Sequence, residues 1–64
     1  MNNKILIQTE KKIRKGIYLI KNKKQSPKEA KLGKLLNSLK NIDEPLYDEL
    51  ISLYKISIKL YNND

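Results

Sequence analysis

The side chains with most chemistry to offer are cations and phenols, and they fall into two groups. Lys11, Arg14, Lys15, Tyr18 and Asn22 recur at the three- and four-residue steps that share one side of a helix. Ammonium and guanidinium groups on such a face hold phosphates. Tyr18, one turn from both Arg14 and Lys15, adds a ring that can stack on a base or hydrogen-bond to a backbone. Lys23, Lys24, Lys28, Lys31 and Lys34 carry the positive charge across a connector into the next segment. The bland alternative is a solvated helix face with the tyrosine ring packed against a neighbour. The second group is Tyr47, Tyr54 and Tyr61, spaced seven apart and therefore on one line of a helix. Tyrosines so placed commonly mark a core margin, ring inside and hydroxyl in water. Together with Leu50 and Ile58 they also have the composition of an interface centre.

Catalytic groupings are harder to find. The chain has no Cys and no His, which excludes disulfides, Cys/His zinc sites, thiol nucleophiles and imidazole bases. Glu44 with Asp48, and Asp48 with Ser52, are helix neighbours, but they stand at a helix start where acids complement the dipole. Gly16 and Gly33 belong to no phosphate-cradling loop. The expectation is a protein that binds and does not catalyse, with no cofactor and no metal.

Charge sharpens the question of partner. Lys and Arg number 14 against 7 Asp and Glu, a net +7. Residues 1–40 hold 12 of the basic and 2 of the acidic side chains, a charge of +10, whereas residues 41–64 carry −3. A concentrated positive surface suits polyanions, nucleic acid foremost, with an acidic protein or anionic lipid as rivals. A proteome rich in Lys, Asn and Ile would give the same balance with no such purpose.

The elements that must position these groups have clear punctuation. Ser26-Pro27-Lys28-Glu29 reads as a capping box with proline at the first helical position. Leu32, Leu35, Leu36, Leu39 and Ile42 then form one apolar stripe, which predicts a helix over about 27–41. Asp43-Glu44-Pro45 starts another, over about 45–61, whose apolar residues cover more than half its circumference. That breadth predicts the most buried helix of the fold. Ile13, Ile17 and Ile20 mark a first helix over about 10–23. Residues 4–8 are ambiguous: Leu6 extends the isoleucine stripe backwards, but Ile5 and Ile7 share one face of an extended segment, which Thr9 would end as a helix cap. The fold class is mainly α, a single small domain of three antiparallel helices. Either a short N-terminal strand over 4–8 that pairs only in a homodimer precedes them, or the first helix of a plain three-helix bundle is longer.

Read as strand, helix, helix, residues 4–40 resemble the ribbon-helix-helix DNA-binding family, in which two chains pair N-terminal strands and lay the ribbon in the major groove. The resemblance rests on Ile5 and Ile7, on Ile13, Ile17, Ile20, Ala30, Leu32, Leu35, Leu36 and Leu39 at the apolar positions, and on the Ser26 helix start. It implies that Lys4, Leu6 and Gln8 point at base edges and that Ser26-Pro27-Lys28 hold a phosphate. Residues 41–64 would add a helix beyond that family's core.

A domain of this size buries about 60% of the surface its unfolded chain exposes. With no disulfide or metal available, a homodimer is the expected staple. The longest apolar runs, Ile5-Leu6-Ile7 and Ile17-Tyr18-Leu19-Ile20, are far short of a membrane span, and a cytoplasmic location is expected. The favoured function is a small basic regulatory protein that binds nucleic acid, DNA above all. The alternative is a protein-binding inhibitor or adaptor, of phage, plasmid or immunity type, that acts through the Tyr and Leu face of the last helix.

Overall fold

Leu6, Ile13, Ile17 and Ile20 lie on one side of a helix, and that stripe organises the N-terminal third of the protein. The computed structural model describes residues 3–63, in four helices: α1 (Asn3–Lys21), α2 (Pro27–Ala30), α3 (Leu32–Lys40) and α4 (Glu44–Asn62), with no strand among the described residues. The strand expected over residues 4–8 is instead the start of α1. Helix satisfies the carbonyls of that segment internally and leaves only first-turn N–H groups to water, whereas an isolated strand leaves all of them unpaired. It also places Leu6 against the core, at the cost of leaving Ile5 and Ile7 exposed. The segment on which the ribbon-helix-helix resemblance depends is thus helical in this chain.

A closing motif ends α1. Lys23 adopts the left-handed conformation (φ 59°), its N–H donates to the Ile20 carbonyl and the Lys24 N–H to the Leu19 carbonyl. This is the paired hydrogen-bond pattern of a Schellman cap with lysine where glycine is usual. The second helix starts where the sequence places it. Ser26 Oγ accepts from the Glu29 N–H at 3.1 Å, and a Glu29 carboxylate oxygen accepts from the Ser26 N–H at 3.0 Å. The Ser26 backbone N–H, and then its hydroxyl, hold the Glu29 carboxyl below its ordinary pKa. Because the folded-state value is the lowered one, this cap is in place above the ordinary carboxylate range and is lost as pH falls through the lowered value. Thermal melts of wild type and Glu29→Ala should therefore differ most near neutrality and converge in acid.

The helix expected over 27–41 does not run unbroken. Lys31 is left-handed (φ 51°, ψ 45°) and divides a single turn, α2, from α3. A non-glycine residue there costs about 1–2 kcal/mol. The seating of Leu32 offsets it: a Cβ built on Gly16 of α1 would stand 2.6 Å from Leu32 Cδ2 and 3.1 Å from its Cγ. The missing side chain at Gly16 is the notch into which buried Leu32 drops. Gly33, by contrast, faces open space. Opposite outcomes follow for the same substitution. Gly33→Ala should stabilise by up to about 1 kcal/mol through helix propensity. Gly16→Ala should destabilise, since about 1–3 kcal/mol of overpacking outweighs that gain. Urea unfolding followed by circular dichroism separates the two signs.

Leu32 over Gly16, and Ile5, Leu6 and Thr9 beside Ser38, Leu39 and Ile42, run α3 back along α1. The short turn 41–43 reverses the chain again. Asp43 caps α4 by accepting from the Leu46 N–H at 3.2 Å. Contacts from Arg14 to Glu49 and from Lys23 to Asn63 set α4 in the same direction as α1. The result is an up-down-up helical bundle around Ile13, Ile17, Ile20, Leu32, Leu36, Leu39 and Leu50. The last helix is not the most buried: α4 gives the fully buried set only Leu50 and Ser57, whose hydroxyl donates to the Tyr54 carbonyl at 2.6 Å. Two neighbouring helices cannot cover its wide apolar surface, and Leu53, Ile56 and Leu60 remain exposed.

Candidate nucleic-acid interface

The amphipathic logic that buries Ile13 turns Lys4, Gln8, Lys11 and Lys15 to the opposite side of α1. These four, spaced 4, 3 and 4 residues apart, are all exposed. At 1.5 Å per residue the line from Lys4 to Lys15 runs about 16 Å. Among the described residues, none of its three lysines has an acid within ion-pair distance. Tyr18 continues the face and is 57% exposed, so its ring is not packed into the core. Asn22 ends it, with its amide donating to the Tyr18 carbonyl at 2.9 Å.

Not every cation expected here is available to a ligand. Arg14 donates from Nε to Glu10 at 2.8 Å and from Nη2 to Glu49 at 3.1 Å. Its side-chain hydrogen bonds to Glu10 and then Glu49 push its pKa up. Pairs this exposed contribute at most about 1 kcal/mol, but they tie α1 to α4 and leave Arg14 beside two carboxylates. Lys23 donates from Nζ to the Asn63 carbonyl at 2.7 Å and serves the end of α4. At Ser26 both the hydroxyl and the N–H are engaged by Glu29. A carboxylate thus stands at the helix start that the resemblance assigns to a phosphate. Lys24, Lys28, Lys31 and Lys34 are exposed beyond it.

The seam between α1 and α4 carries a feature that the sequence reading missed. Arg14, Ile17, Tyr18, Lys21 and Leu53 line a shallow depression of about 180 Å³. Lys21 was legible, one turn after Tyr18 on the same side of the helix. Leu53 was not, because only the packing of α4 on α1 brings it there. A second cleft of about 320 Å³ lies between the start of α1 and the end of α3, lined by Ile5, Leu6, Thr9, Ser38, Leu39 and Ile42.

On α4 the residues expected at an interface differ in exposure. Leu50 is fully buried and belongs to the core, beneath any contact surface. Tyr47, Tyr54, Tyr61 and Ile58 are half-buried, and the three tyrosines pack against the core cluster. The apolar side chains offered to solvent are Leu53, Ile56 and Leu60, on the neighbouring strip of the helix.

Among the described residues no group of acidic side chains could hold a metal ion, and no helix is long and apolar enough to cross a membrane. Compared with protein-family models, curated proteins and solved structures, the chain finds no match in any of the three.

Proposed function

We propose that this chain is a small basic nucleic-acid-binding protein, regulatory in kind, that holds a sugar-phosphate backbone along the outer face of α1. The observation that carries the reading is the line of Lys4, Lys11 and Lys15, exposed and without acidic partners among the described residues. It lies on the part of the chain whose charge is +10. Each ammonium that meets a phosphate releases a condensed counterion, and that release drives binding without regard to sequence. Lys24, Lys28 and Lys31 extend the track past the end of α1. Titration of fluorescently labelled random 20-mers, single-stranded and duplex, tests it by anisotropy. Dissociation constants of roughly 1–100 micromolar at moderate salt are expected; no binding of either at low salt would retire the reading.

Leu53, Ile56 and Leu60 favour a second reading, in which the exposed strip of α4 docks on a protein, a second copy of this chain included. Apolar contacts of that kind respond little to salt, and sedimentation analysis of the 7.5 kDa chain would show the dimer directly.

A further inference from the structure

Resting on the nucleic-acid reading, we infer that the depression beside Tyr18 is a niche for one unpaired nucleobase, which makes the preferred ligand single-stranded. Tyr18 stands between the lysine line and the seam with α4. Its ring is largely solvent-exposed, next to Leu53, which is 37% exposed, while Ile17 closes the floor. An aromatic face and two aliphatic side chains therefore border water in a hollow of about 180 Å³. That space suits a single flat ring and is too small to seat a helix.

The surrounding charges give the occupant a direction. Arg14 is pinned by Glu10 and Glu49, so that side of the niche offers a fixed guanidinium already matched by two carboxylates and repels a phosphate. Lys21 on the rim, with Lys15 and Lys11 one and two turns before Tyr18, attracts one. A nucleotide enters with its phosphate towards the lysines and its base over Tyr18 and Leu53. Stacking of this kind needs a splayed base, which a duplex keeps inside its own stack.

The test separates base from backbone. The full-length protein is titrated with oligothymidylate, with oligouridylate and with an abasic deoxyribose-phosphate strand of equal length. The niche requires that at least one base-bearing strand bind about fivefold or more tightly than the abasic strand, the lower end of what one stacked base contributes. The tighter of the two identifies DNA or RNA as the source. Tyr18→Ala should remove this preference and leave abasic binding unchanged, while Tyr18→Phe, which keeps the ring, should retain it. Equal binding of base-bearing and abasic strands by the wild type overturns the niche but leaves the phosphate track standing. An equal loss on every strand in Tyr18→Ala, but not in Tyr18→Phe, does the same. Failure of all three strands to bind removes both.

Discussion

Truncating Leu50 to alanine is expected to unfold a large fraction of the protein under conditions where the wild type is folded. Leu50 is the only fully buried apolar side chain that α4 contributes, and removing it leaves a cavity at the junction of three helices. Leu→Ala at such a site costs about 2–5 kcal/mol. At roughly 0.05–0.15 kcal/mol per residue, a 64-residue domain has only about 3–10 kcal/mol in total. Ile56→Ala on the same helix removes a similar side chain that is already half in water, and should change stability by no more than about 0.5 kcal/mol. Urea titrations of both variants, read by helical circular dichroism, give the contrast. A mild Leu50→Ala phenotype would mean that α4 packs differently from the arrangement described above.

Neutralising the α1 line should produce the largest loss of binding. In Lys4→Gln/Lys11→Gln/Lys15→Gln three phosphate contacts disappear, and the slope of log affinity against log salt should become shallower by about 2 on single strands. At about 0.1 M salt that corresponds to a weakening on the order of a hundredfold. The control is Lys40→Gln/Lys55→Gln/Lys59→Gln, which lowers net charge equally but away from the line, and it should keep most of the slope. If the two triple variants weaken binding alike, only total charge matters and the track along α1 is not the site. All six side chains are exposed, so neither variant disturbs the core.

What could be read from the sequence was what short-range physics decides. Asp43 and Ser26 announced their helices because a cap and its partner lie three residues apart. The isoleucine stripe of α1 and the lysine line opposite it follow from one helical period. Residues 4–8 were undecided because the β-branched Ile5 and Ile7 favour extended chain while Leu6 favours helix. The balance tips with the packing of Leu6 against the core cluster, which local pattern does not encode. The break at Lys31 was hidden for a similar reason: a left-handed lysine is locally unfavourable, and its compensation comes from Gly16, fifteen positions earlier. The site divides in the same way. Lys4, Lys11 and Lys15 were legible as a line. The commitment of Arg14 was only half so, since Glu10 is one turn away but Glu49 is 35 residues distant. The breadth of the apolar surface on α4 is legible in the sequence but overstates its burial, because each neighbouring helix covers only part of a circumference.

The parallel pairing of α1 with α4 carries a cost in chain entropy. The α3–α4 hairpin closes through a three-residue turn, whereas the contacts between α1 and α4 join positions 35 and 40 apart. Closing the longer loop carries the greater entropic penalty, and the packing of α1 on both α3 and α4 has to offset it. Tyr18 and Leu53 line that boundary from its two sides, so the distance between them reports directly whether the two helices are together.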